Sequence, residues 1–174
     1  MKKSLKSIAI MLAIILICGG LLAILSDLLF VSDDERIQRA IDKMYEEEVS
    51  LSQTLDVSEY TALEDIGVIK QAYLLDNGDY LVLSTGKKGY SNGTVSVYVA
   101  IENVEGVATV KKVVQDSYTG QTLMSKLGGL YEKYSNKNSS DPINEIVSGA
   151  TYSSNAVNNA VKTALSFAQS QIGG

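Results

Sequence analysis

Between Gly67 and Gln115 the chain is a series of β-branched runs cut by short turns, and that pattern restricts the fold more than any other feature. Val68–Leu75, the turn Asp76-Asn77-Gly78-Asp79 and Tyr80–Ser84 read as a hairpin. A glycine-rich turn, Lys87-Lys88-Gly89-Tyr90-Ser91-Asn92-Gly93, leads into Thr94–Glu102. In that run Val95, Val97, Val99 and Ile101 alternate with smaller or polar residues, so one face is expected to be buried. Asn103–Gly106 then turns the chain into Val107–Gln115. Four strands with short connections predict an antiparallel sheet.

Helices are expected on either side of these strands. Ser32 as N-cap with Glu35 three residues on forms a capping box, followed by Ile37, Ile41, Met44 and Tyr45 at helical spacing up to about Glu48. The run Glu46-Glu47-Glu48 reads as a solvated face. Near the C-terminus, Ser153 or Ser154 can cap a helix reaching about Gln169. Val157, Ala160, Val161, Ala164, Leu165 and Ala168 make a stripe of small apolar residues suited to close packing on a sheet. Thr119–Met124 is a tight loop or the start of a short helix, and Tyr131–Asp141, polar and followed by Pro142, reads as a surface loop. The fold class is therefore α+β, an antiparallel sheet packed by helices.

Ahead of this lies Ile8–Ser26, nineteen residues without a charge. As a helix it reaches roughly 28 Å, close to the thickness of a bilayer core. It lacks the small-x-small site of a cleaved signal peptide, and Cys18 follows Ile17 rather than the small residue a lipidation site needs. An uncleaved single-pass anchor is expected, with Cys18 as an apolar packing residue inside it. Lys2, Lys3 and Lys6 precede the span, and twelve basic against twenty acidic residues follow it. That asymmetry puts the N-terminus in the cytoplasm and the remainder outside the cell membrane. The expected divisions are an anchor at 1–31, a stalk helix and linker at 32–66, and a domain at 67–174.

Composition then narrows the chemistry. With no histidine, the chain has no Ser-His-Asp triad, no Cys-His pair and no histidine-ligated haem or zinc. One cysteine closes no intrachain disulfide and holds no iron–sulfur cluster. Arg36 and Arg39 are the only arginines, so the domain has no guanidinium cluster for nucleic acid. Lys87, Lys88, Lys111 and Lys112 read as solvated strand ends. Redox chemistry, if present, needs an organic cofactor.

The segment Glu145–Ser154 is the most informative. Small residues and Gly149 precede a helix whose first N–H groups have no partners within it. Read from the residues alone, it is either an ordinary capped strand-to-helix turn or a phosphate site. Ser148-Gly149-Ala150-Thr151, followed by a polar pair and the Ala156-Val157…Ala160-Val161 helix, resembles the flavin-attachment motif of the FMN-binding domain family. Gly89-Tyr90-Ser91-Asn92-Gly93-Thr94 is similar to that family's Gly-Tyr-x-Gly turn. The likeness covers the anchor and residues 67–170, and it extends to the G subunit of Rnf-type electron-transport complexes and the C subunit of sodium-translocating NADH:quinone reductases.

The resemblance implies covalent FMN, joined through its phosphate to Thr151 by a flavin transferase. Ser148, Gly149, Ala150 and Ser153 surround that attachment point. The backbone near Gly120 and the hydroxyls of Tyr118, Thr119 and Thr122 are placed to bond the ring, Leu123 to cover one face, and Tyr90 to lie beside it. Two stretches depart from the family pattern. Glu145 stands where an aspartate is usual, and Ser117-Tyr118-Thr119-Gly120-Gln121-Thr122 replaces Glu-Thr-Pro-Gly-Leu-Gly. The function implied is an electron carrier among the membrane subunits of an Rnf-like ion-translocating complex. A stand-alone extracytoplasmic flavoprotein, or a tethered module that has lost its flavin, is the alternative.

Overall fold

The computed structural model describes residues 11–21 and 32–173. The chain divides into two compact units, residues 1–37 and 38–174. In the first, residues 11–21 are helical with exposed side chains. No helix among the described residues is long and apolar enough to cross a membrane. The expected span Ile8–Ser26 lies outside the described residues at both of its ends.

Helix α1 (Asp33–Met44) begins where the capping box places it, with the Glu35 N–H donating to Ser32 Oγ at 3.2 Å. Asp33, Asp34 and Glu35 complement the positive pole of its dipole. It stops at Met44 and not near Glu48, because three exposed glutamates in a row oppose the negative pole of a growing helix.

The second unit is built on five antiparallel strands in the order of the chain: β1 (Leu51–Leu55), β2 (Gly67–Leu75), β3 (Tyr80–Gly86), β4 (Thr94–Val104) and β5 (Val107–Thr119). The sequence pattern predicts four of them and misses β1, a short exposed edge strand held by its pairing with β2. The β2–β3 turn places Gly78 at φ +87°. The β4–β5 connection is Glu105-Gly106 with both residues at positive φ, the form that matches the twist of a two-residue hairpin.

Both faces of β4 are buried, not one. Val95, Val97, Val99 and Ile101 join the main core, while Ser96, Tyr98 and Ala100 are buried on the opposite face with Leu81 and Leu83 of β3. Helix α2 (Thr151–Ile172) covers the main-core face through the predicted stripe, every member of which is buried. Gly86 explains how close it lies: a Cβ there would fall on the carbonyl oxygen of Ala156 and 2.5 Å from the Ala160 nitrogen. Ser84 Oγ donates to the Ala160 carbonyl at 2.8 Å across the same contact.

One expectation after β5 changes in part. Met124–Tyr134 is a 3-10 helix with Met124, Leu127, Leu130 and Tyr134 buried, so the start of the expected surface loop belongs to the core. Residues 136–139 then bond along the outer edge of β5, through Asn136 N to Val110 O, Val110 N to Lys137 O, and Ser139 N to Ala108 O. They cover an edge that would otherwise expose its backbone.

Candidate cofactor site

Gly149 adopts φ +76° and the Ala150 N–H reaches back to the Val147 carbonyl at 3.0 Å, making a tight turn before α2. Ala150 is buried and acts as N-cap without a side-chain bond, and Thr151 is the first helical residue. Ser153 and Ser154, expected as caps, lie inside the first turn instead. Ser154 Oγ donates to the Ala150 carbonyl at 3.0 Å and accepts the Val147 N–H at 3.1 Å. The first bond of the helix runs from Ser154 N to Ala150 O, so the N–H groups of residues 151–153 stand ahead of the intrahelical pattern. Ser148, Gly149 and Thr151 are all exposed.

The strand-like approach to this turn is clamped. Asn158 accepts the Glu145 N–H at 3.1 Å and donates to the Glu145 carbonyl at 2.8 Å. The same Asn158 oxygen accepts from Tyr134 Oη at 2.7 Å, so the core of the 3-10 helix holds the clamp in place. Burial raises the Tyr134 pKa, with the Glu145 charge adding to it. The Glu145 carboxylate meets Lys137 Nζ at 2.9 Å, and that hydrogen bond holds its pKa below the ordinary value.

The glycine turn forms the other wall. Gly89 N bonds Gly93 O at 3.0 Å and Gly93 N bonds Tyr90 O at 2.8 Å. Lys88, Ser91 and Asn92 all have left-handed φ within this short stretch. Gly120, at φ +65°, lies close enough that a Cβ on it would be 3.1 Å from Gly93 Cα. Tyr90 is exposed, and its ring meets that of Tyr152 edge-on at 6.3 Å between centroids.

Gln121 joins the two walls. It is buried, and its Oε1 accepts from Ser153 Oγ at 2.7 Å and from the Tyr90 N–H at 3.3 Å. Its Nε2 is buried without a hydrogen-bond partner. Leaving such a donor unpaired costs on the order of 1–3 kcal/mol. A Cβ on Gly89 would collide with Nε2, and one on Gly93 would lie 2.5 Å from it.

Of the residues predicted from sequence, the structure thus gathers Tyr90, Gly120, Ser153 and the Ser148–Thr151 turn. Thr119 is engaged on the sheet, sharing a 2.9 Å hydrogen bond with Thr94. Tyr118, Thr122 and Leu123 are exposed. Sequence reasoning overlooked Gln121, Asn158, Tyr152 and Lys126. The last brings its ammonium to 3.5 Å from where a Gly149 Cβ would be. Nothing in a loop glutamine or a surface lysine announces such a position. A cation and free helix N–H groups beside an exposed threonine, with an orphaned buried donor behind a glycine cradle, fit a ligand that has both a phosphate and a polar planar ring.

Residues 89–166 match the model of the FMN-binding domain. The match opens on the glycine turn, includes Gln121 and Thr151, and ends within α2. It supports FMN as the cofactor and a flavin-binding role for this unit. No curated protein and no solved structure matches the chain.

Proposed function

We propose that this chain is a membrane-anchored electron-transfer flavoprotein whose FMN is joined through its phosphate to Thr151, and that it serves as a subunit of an Rnf-like ion-translocating electron-transport complex. The observation that carries the reading is the FMN-binding match over an exposed threonine that opens a 22-residue helix. Bound there, FMN supplies electron transfer that no side chain of this composition provides.

The chain's own residues have separate tasks. The leading N–H groups of α2 and the Lys126 ammonium favour a phosphate on Thr151. Gly149 makes the turn that presents the threonine. The Asn158 clamp and the Lys137–Glu145 pair hold the segment that a flavin transferase must recognise. Tyr90 and Tyr152 offer an exposed aromatic edge to a planar ring. The anchor at Ile8–Ser26, flanked by lysines before and acid after, keeps the carrier at the cell membrane with the domain outside.

The departure at Ser117–Thr122 favours one second reading, a stand-alone extracytoplasmic flavoprotein. Co-purification from membranes separates the two, since an Rnf-type subunit brings integral membrane partners with it and a stand-alone carrier does not. Covalent attachment is tested by in-gel flavin fluorescence after denaturation, with a flavin transferase co-produced. A fluorescent band that disappears in Thr151→Val is expected. A colourless wild-type band, with the transferase active on a control substrate, would indicate a tethered module without flavin.

A further inference from the structure

Gln121 uses its two polar atoms very differently. Oε1 takes two hydrogen bonds, from Ser153 Oγ and the Tyr90 N–H, and so braces α2 against the glycine turn. Nε2 is equally buried and donates to nothing among the described residues. Turning the amide round gives no relief, because it would set an N–H against the Tyr90 N–H. Bracing requires only the acceptor, so the donor is surplus to the fold.

We infer that Gln121 Nε2 donates a hydrogen bond to an acceptor atom of the isoalloxazine ring, making Gln121 a residue that orients the flavin and sets its reduction potential. This rests on FMN being carried by Thr151. Both partners of Oε1 lead to that threonine: Ser153 is two residues beyond it, and the ring of Tyr90 touches Tyr152, its neighbour. The donor is covered by a turn in which Gly89 and Gly93 lack the Cβ atoms that would collide with it. That turn holds Lys88, Ser91 and Asn92 in left-handed conformations that residues other than glycine resist, and it shifts to admit the ring's acceptor to the donor. A donor to the ring's oxygen or nitrogen acceptors stabilises the electron-rich reduced form more than the oxidised one.

The direct test compares the Gln121 side-chain amide by 1H–15N NMR in the flavinylated protein and in flavin-free Thr151→Val. Its signals should move downfield and exchange more slowly with solvent only when flavin is attached. In parallel, Gln121→Glu keeps both acceptor bonds, removes the donor and adds a negative charge, whereas Gln121→Met removes the donor without adding charge. At a fixed applied potential Gln121→Met should lower the ratio of reduced to oxidised flavin by about tenfold, and Gln121→Glu by more. If FMN is attached but the amide signals and the ratio are unchanged, the role of Gln121 is overturned while the flavin reading stands. If intact mass shows no attached FMN, both fall. Should Gln121→Glu fail to fold, the amide measurement on the native side chain decides alone.

Discussion

The two ends of β3 solve the problem of burying polar groups in opposite ways. Just before the strand, Asp79 is buried and accepts from Tyr45 Oη at 2.8 Å, Asn77 Nδ2 at 3.0 Å and Lys111 Nζ at 3.0 Å. The Lys111 ammonium also lies 5.3 Å from the centre of the Tyr45 ring. Burial is the main cause of the raised Tyr45 pKa, and the hydrogen bond to Asp79 is the main cause of the raised Lys111 pKa. Beyond the strand's other end, Gln121 leaves a buried donor unpaired, three non-glycine residues take left-handed conformations, and Tyr90 and Tyr152 face solvent. One end is a finished network that fixes the fold. The other retains cost and exposure, the mark of a surface made to receive something.

The largest effect is expected of Asp79→Ala, which takes the acceptor from the half-buried Tyr45 hydroxyl and leaves the partly exposed Lys111 ammonium with Glu102 at 3.8 Å. It should destabilise the protein by about 2 kcal/mol in urea unfolding. A loss under half that size would mean the network is not a clamp. Tyr134→Phe removes one bond to Asn158 but leaves the Asn158–Glu145 pair, and about 1 kcal/mol is expected in the same measurement. At the open end, the double change Gln121→Met with Ser153→Ala removes both partners of the Ser153–Gln121 bond together with the orphaned donor, and leaves the N–H of the exposed Tyr90 to bond water. Flavin-free protein should then change by only about 0.5 kcal/mol. A large loss would show that the open end is as structural as the other.

The smallest effect is pH-dependent. The Glu145 pKa is depressed by Lys137, so the pair contributes stability above the ordinary carboxylate range and loses it as pH falls through the folded-state value. The melting temperatures of wild type and Lys137→Gln should differ slightly at neutral pH and converge in acid. The pair is half-buried and still reached by solvent, so a shift of more than a few degrees at neutral pH would assign it a larger role than the geometry allows.

Legibility in the sequence follows the same division. The long strands are visible because Val95 to Ile101 and their partners repeat every second residue, and the stripe on α2 because small residues recur every third or fourth. Strand β1 is nearly invisible: Leu51–Leu55 is mostly exposed and becomes a strand only through its register with β2. The 3-10 helix hides behind Gly128 and Gly129, although Met124, Leu127 and Leu130 carry its period of three. At the site, the Ser148–Thr151 turn and the Gly89–Gly93 turn are legible as motifs. The burial of Gln121 is not, because it depends on two glycines some thirty residues earlier and a serine as far ahead.

Everything proposed for the site depends on Thr151 carrying the flavin. Tandem mass spectrometry of the peptide between Lys137 and Lys162, from protein made with a flavin transferase, decides it. One FMN phosphoryl group is expected on Thr151, lost in a Thr151→Val protein whose circular dichroism is unchanged. A wild-type peptide without FMN, or with FMN on another residue, would contradict it.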